Sequence, residues 1–218
     1  MSKKILIIGN GHLCRQCLEY ISTAGAYIIA ADGGLDRCRK LDIKPDMVTG
    51  DMDSASQDWS HFIATHNIPL CRYPVRKNRS DMEIAADLAL DMNPAEIILA
   101  GALGGRLDHM LFNLQLLHHI MEREIPVRIT SCRQEAVPAD NPHILNEPEG
   151  TVISMVPVTP KLTGVTLQGF SYPLSNQDLT YGTSRGLSNL VESSPAIISF
   201  RQGKLLLIIN RNPDKTHD

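Results

Sequence analysis

The sequence predicts an α/β N-terminal domain, with a mostly parallel, Rossmann-like sheet covered by helices, followed by a smaller all-β domain of sandwich- or barrel-like form. Two observations carry this. From Lys3 to about Cys132, short apolar runs of strand length alternate with longer amphipathic segments of helix length. The runs are nearly continuous, as expected of strands buried on both faces, and strand–helix alternation marks a parallel sheet. After Gly150 the helical period vanishes and strand-length segments remain. Between them Pro138, Pro142 and Pro148, with Asn141, Asn146 and Gly150, break the pattern, which divides the chain into residues 1–133 and 134–218.

In the first domain the expected strands are Ile5–Ile8, Tyr27–Ala31, Met47–Val48, Pro69–Tyr73, Ile97–Ala100 and Val127–Thr130. The expected helices are His12–Thr23, Gly34–Leu41, Gln57–His66, Asp81–Asp91 and Asp108–Glu124. Met1–Gly9 has the basic start and apolar run of a signal peptide, but Asn10-Gly11-His12 cuts the run short, so it reads as a buried first strand. Residues 134–149 read as loops or short edge strands. The expected strands of the second domain are Thr151–Val158, Thr163–Phe170, Gly186–Glu192, Ala196–Arg201 and Lys204–Asn210, the last two joined by Gln202-Gly203 as a hairpin. The polar tail Asn212–Asp218 is expected to fray.

At 218 residues, 43% hydrophobic and 21% charged, the chain is long enough to bury a sizeable core. A net charge of −3 supplies no basic face for nucleic acid, and no run is long enough to span a bilayer. Five cysteines, an odd number in a chain too large to need staples, point to reduced thiols in a cytoplasm.

In such sheets ligands bind beyond the carboxyl ends of the strands, near a switch in strand order, and the conspicuous polar residues fall there. Gly50-Asp51-Met52-Asp53-Ser54 ends a strand with two carboxylates two residues apart. That pair suits Mg²⁺, which takes one or two carboxylates and fills its other sites with water and substrate phosphates; an Asp-rich turn is the plainer reading. Gly9-Asn10-Gly11-His12 follows the first strand but lacks the third glycine of a dinucleotide fingerprint, Cys14 standing in its place; the helix start there could still bind a phosphate. Cys14 and Cys17 have redox-pair spacing, against which stands simple burial. Asp32-Gly33-Gly34 is either a plain strand-to-helix turn or a close approach for a ligand.

Ser80-Asp81-Met82-Glu83 matches a capping box, which accounts for Ser80 and Glu83 and leaves Asp81 able to face a metal. The basic stretch Arg76-Lys77-Asn78-Arg79 is a solvated loop or neutralises phosphate charge. Gly101-Ala102-Leu103-Gly104-Gly105-Arg106-Leu107-Asp108-His109 is the sharpest segment: glycines expose backbone donors, and Arg106 offers a bidentate fork for phosphate. Asp108 on its own reads as an N-cap. His118, His119 and Trp59 read as surface or packing residues, and Gly182–Asn189 as a loop rich in small hydrogen-bonding groups.

Taken in order, Ala31-Asp32-Gly33-Gly34, Gly50-Asp51-Met52-Asp53-Ser54, Ser80-Asp81, Gly104-Gly105-Arg106-Leu107-Asp108-His109 with Asn113, and Ser188-Asn189 resemble the thiamine pyrophosphokinase (thiamine diphosphokinase) family. The resemblance implies pyrophosphoryl transfer from ATP to the hydroxyl of thiamine with release of AMP, in a homodimer whose active site is shared between subunits. It implies that Asp51, Asp53 and Asp81 hold Mg²⁺, and that Asp32, Gly33, Gly34, Lys77, Gly104, Gly105 and Arg106 meet ATP. It further implies that Asp81, Asp108, Ser188 and Asn189 meet thiamine, Ser188 from the partner subunit, with Asp51, Asp53, Asp81 and Arg106 catalytic. One position departs from the family pattern Asp-x-Thr-Asp: here Asn78 and Ser80 precede Asp81, and Asn78 replaces a carboxylate with a neutral oxygen donor. Independently of the resemblance, three carboxylates, an Arg and glycine loops suit phosphoryl-type transfer, which asks for positioning and charge neutralisation rather than a covalent group. Pyrophosphoryl transfer to another alcohol, such as a pterin, and a non-catalytic thiamine or nucleotide sensor remain the alternatives, with a metal-dependent phosphohydrolase a more distant one.

Overall fold

Short apolar runs such as Lys4–Ile8 (β1), Tyr27–Ala31 (β2) and Glu96–Ala100 (β5) become strands because nearly every side chain can be buried, the pattern being one half-buried residue followed by four buried ones. The structure is a computed structural model that describes residues 3–21, 23–52, 59–73, 78–131 and 133–211. The chain forms two compact units, Met1–Cys132 and Arg133–Asp218.

In the first unit β1, β2 and β5 join Met47–Gly50 (β3), Leu70–Arg72 (β4) and Val127–Thr130 (β6) in a parallel sheet of order β6-β5-β1-β2-β3-β4. The helices are Arg15–Ile21 (α1), Gly34–Lys40 (α2), Trp59–His66 (α3), Asp81–Asp91 (α4) and Leu107–Met121 (α5). Leu6, Ile8, Ile28, Ala30, Val48 and Ile98 alternate along the strands and pack with Cys17 and Ile21 of α1 and Leu35 and Cys38 of α2. The intervening Ile5, Ile7, Ile29, Ile97 and Leu99 are equally buried, and α4 packs on β1, β2 and β3. Each strand and helix expected here is present, with ends shifted by a few residues; the expected helix start at Gln57 lies outside the described residues. Trp59 packs at the edge of the α1–α2 core. So does Cys14, whose sulfur lies 3.2 Å from that of the buried Cys17.

The second unit contains Gln134–Pro138 (β7), His143–Leu145 (β8), Val152–Pro157 (β9), Lys161–Gln168 (β10), Gln177–Thr180 (β11), Asn189–Leu190 (β12), Ala196–Ser199 (β13) and Leu205–Asn210 (β14). All pairings are antiparallel, in two groups of order β12-β9-β14-β7 and β11-β10-β13-β8. One core gathers Ile153, Met155, Leu205 and Leu207 from the first group with Leu162, Leu167, Leu179 and Ile198 from the second, which makes this unit a sandwich.

Three expectations fail locally. No hairpin forms at Gln202-Gly203: β13 pairs with β10 and β8, whereas β14 pairs with β7 and β9, so the chain crosses between sheets. The run Leu205–Ile209 is apolar enough to need a partner on both edges, which β13 does not provide. The expected strand Gly186–Glu192 shrinks to two residues, because Ser188 takes a left-handed φ of 52° that no strand accepts. Strand β11 was not anticipated, since only Leu179 of its four residues faces the core.

Candidate active site

Strand order turns back between β1 and β5, so the loops leaving their carboxyl ends diverge and leave a crevice. A cleft of about 600 Å³ opens there, and the loops after β1, β2 and β5 line it together with the starts of α4 and α5. The loops after β1 and β5 are stitched together: Gly9 N–H donates to the Ala100 carbonyl at 2.9 Å, Gly11 N–H to Gly101 at 2.7 Å and His12 N–H to Leu103 at 3.0 Å. A Cβ on Gly11 would lie 2.3 Å from the Leu103 oxygen, so this approach requires glycine.

Asp32, buried and left-handed at φ 46°, is the first residue after β2 and donates its N–H to the Thr49 carbonyl at 2.7 Å. A Cβ on Gly50 would come within 3.0 Å of Asp32, so β2 and β3 end side by side, with half-buried Asp51 the first residue after β3. Gly33 lines the cleft with Asp32. Gly34 does not: its absent Cβ would lie 1.9 Å from the Ile8 carbonyl, so this glycine lets α2 lie close on β1.

Ser80 caps α4, its Oγ accepting from Glu83 N–H at 3.1 Å, as the capping box predicts. The cap sets Asp81 in the first turn, where it lines the cleft half-buried. Arg79 is turned to Asp87, with which it forms an ion pair.

Helix α5 begins one residue before the expected start, with Arg106 at the N-cap, so Asp108 is not the cap. Instead Asp108 sits in the first turn and accepts from Arg106 twice, Nε to Oδ1 at 3.2 Å and Nη2 to Oδ2 at 2.6 Å. The Arg106 hydrogen bond holds the Asp108 carboxyl below the usual range, and the same bond holds the guanidinium above its own. Gly104 and Gly105, at φ 85° and 76°, lead the chain into this pair. Buried Asn113, a turn further on, donates from Nδ2 to the Ala102 carbonyl at 2.8 Å and fixes the loop from beneath.

The cleft thus brings together Asp32, Gly33, Asp81, Gly104, Gly105, Arg106 and Asp108. Asp53 and Lys77 lie outside the described residues. Asp32 and Asp81 line the cleft, whereas Asp51, the residue after β3, is not part of its lining; all three carry hard carboxylate oxygens, the donor type a small divalent cation takes, and among the described residues no three acidic, His or Cys side chains form a cage. Ser188 and Asn189 belong to the second unit. Ser188 is exposed, its N–H bonded to Ser154 Oγ at 3.0 Å. Asn189 is buried, and its side chain clamps Tyr172: Tyr172 N–H donates to Oδ1 at 3.0 Å and Nδ2 to the Tyr172 carbonyl at 2.9 Å.

Sequence reasoning gave little weight to the Gly9–Gly11 turn and none to Phe112, both of which line the cleft. Phe112 had a readable signal, lying four residues after Asp108 on the same helical face. The turn had none beyond its glycines, because its place depends on strand order.

Residues 18–129 match the family described as thiamin pyrophosphokinase, catalytic domain, and residues 142–205 the one described as thiamin pyrophosphokinase, vitamin B1 binding domain. The thiamine pyrophosphokinase of Bacillus subtilis is 31% identical over 182 residues, covering 83% of this chain and 85% of its own. Among solved structures, thiamine pyrophosphokinase from Bacillus subtilis superposes with a TM-score of 0.87 at 27% identity, over 96% of this chain and 100% of that one. The enzyme from Geobacillus thermodenitrificans follows at 0.84 and 27%, over 97% and 99%. On the joint match of both domains and of the fold, the chain belongs to the thiamine pyrophosphokinase family.

Proposed function

We infer that the chain is a thiamine diphosphokinase, moving a pyrophosphoryl group from ATP to the hydroxyl of thiamine and releasing AMP. The observation that carries this reading is one cleft, at the switch in strand order, that joins carboxylates, glycine loops and Arg106 in a chain of this family. In the reaction the thiamine hydroxyl oxygen attacks the β-phosphorus. The new O–P bond forms as the bond from that phosphorus to the α–β bridging oxygen breaks, and AMP leaves with the electron pair.

Gly104, Gly105 and Arg106 supply donors to the phosphates, and Lys77 adds charge. Asp32 and Gly33 border the nucleotide end, and Gly34 supports them by packing. Asp51, Asp53 and Asp81 would hold Mg²⁺, which neutralises phosphate charge when bound. The hydroxyl proton needs an acceptor within reach. Asp81 and Asp108, the carboxylates at the starts of α4 and α5 that line the cleft, can take it. Asp108 also accepts from the aminopyrimidine of thiamine, with Ser188 completing that end. Asn189 acts there through the loop it clamps. The resemblance supports a homodimer in which Ser188 serves the partner subunit's site, and the odd cysteine count supports a reducing, cytoplasmic setting; among the described residues no helix is long and apolar enough to cross a membrane.

Incubation with thiamine, ATP and Mg²⁺ followed by chromatography of the thiamine species tests this reading. Thiamine diphosphate should form, and Ser188→Ala should raise KM for thiamine more than for ATP. Thiamine recovered unchanged, with a pterin alcohol or no alcohol modified, would contradict it.

A further inference from the structure

We propose that Asn10, held in place by Arg37, binds the nucleoside part of ATP; the inference rests on the proposed reaction for the identity of the nucleotide. Asn10 lies at the tip of the turn after β1 and lines the cleft. Its main chain is gripped from the last turn of α2: Arg37 donates to the Asn10 carbonyl from Nε at 3.2 Å and from Nη2 at 2.9 Å. With the flanking N–H of Gly9 and Gly11 bonded to the loop after β5, the turn has little freedom left.

The side chain of Asn10 is placed against the nucleotide edge. A Cβ built on Gly33 would lie 2.5 Å from Asn10 Nδ2 and 2.7 Å from its Cγ, so the carboxamide rests over the Gly33 main chain beside Asp32. Asn10 is exposed, and among the described residues its side chain makes no hydrogen bond, so its two donors and acceptor oxygen are open to a ligand in the cleft. Phosphate oxygens only accept, and Arg106 with its glycine loop already answers them. A group that both donates and accepts matches the edge of a purine or a ribose hydroxyl, which do both. Arg37 reaches no ligand on this reading; it is a positioning residue that acts through the Asn10 backbone.

Calorimetric titration of the full-length protein with AMP and, separately, with inorganic tripolyphosphate tests the assignment. Asn10→Ala should weaken AMP binding about tenfold, the loss of one or two neutral hydrogen bonds, while leaving tripolyphosphate binding unchanged. Gly33→Ala should act in the same direction, because its φ of −59° accepts a Cβ and only the flexible carboxamide must move aside. Arg37→Met should give a smaller loss that Arg37→Lys recovers in part, a single donor replacing a two-point grip. Unchanged AMP affinity in both Asn10→Ala and Gly33→Ala, or equal losses for tripolyphosphate, overturns the proposal. If the AMP pattern holds while thiamine is not converted, the nucleotide assignment stands and the proposed reaction falls.

Discussion

Arg106 and Asp108 face each other across two hydrogen bonds at the mouth of the cleft, at 3.2 and 2.6 Å, with both side chains largely exposed. Each is proposed to serve a different substrate, Arg106 the phosphates of ATP and Asp108 the ring amine of thiamine. Paired in this way they neutralise one another, and exposed pairs of this kind contribute little to stability and can give way to a better partner.

Removing one member should therefore have opposite effects on the two substrates. Asp108→Asn releases Arg106, so KM for ATP should stay constant or fall, while KM for thiamine rises by about tenfold or more, as expected for a lost hydrogen bond to a charged acceptor. Initial-rate kinetics with each substrate varied in turn would show this. Equal increases in both KM values would mean that Asp108 is a structural support of the loop.

Asp51 and Asp53 are the proposed metal end of the site. Asp51→Asn and Asp53→Asn should each lower kcat by about 10²-fold or more, the usual scale for losing a preorganised charge at a transferring phosphoryl group. Chelation of divalent cations should abolish turnover, with Mg²⁺ restoring it. Wild-type rates in either variant would place the metal elsewhere. Asn78→Asp, which restores the carboxylate of the family pattern, should tighten Mg²⁺ activation.

Much of the first unit was legible because its strands are buried on both faces and its helices carry clear starts; the capping box at Ser80 fixed α4 to the residue. The polar residues after β2 and β5 could be read as a site from the rule that such sheets bind ligands beyond their carboxyl ends. Strand order could not be read, because it depends on which apolar runs pair, and the Gly9–Gly11 turn owes its place in the cleft to β1 lying beside β5. The plainer reading of Asp108 as a cap rests on its short polar side chain, which fits that role by type; the structure gives the N-cap position to Arg106. In the second unit the Gln202-Gly203 hairpin was inferred from local turn chemistry, and the demand of Leu205–Ile209 for two partners overrode it.

Arg211 makes a second kind of prediction, about stability. It bonds bidentately to Glu147 at 3.0 and 2.7 Å and pairs with Glu135 at 2.5 Å, both carboxylates being nearly buried at 12% and 7% exposure. Arg211→Met removes the cation that two nearly buried acidic groups share, so the second unit should lose about 3 kcal/mol, the scale for breaking a buried pair from one side. Denaturant unfolding followed in that unit would reveal it, and a change below about 1 kcal/mol would show the pair to be a weak surface contact.

His143 should make the second unit sensitive to acid. Its Nδ1 accepts the Asp140 N–H at 3.2 Å, and burial lowers its pKa below 6.5, opposed only in part by the charge of Asp140. Protonation is thus easier in the unfolded chain, so stability is full above about pH 6.5 and declines as pH falls below it. Thermal unfolding between about pH 7.5 and 5 should show this slope in the wild type and a shallower one in His143→Gln. Identical slopes would remove His143 from the account.

The central claim is that the cleft transfers a pyrophosphoryl unit, and the nucleotide product tests it most directly. With ATP, thiamine and Mg²⁺, one AMP should appear for each thiamine diphosphate formed, with both β- and γ-phosphorus of labelled ATP in the thiamine product. ADP accumulating in step with thiamine consumption, or label confined to a single phosphorus in the product, would contradict the account.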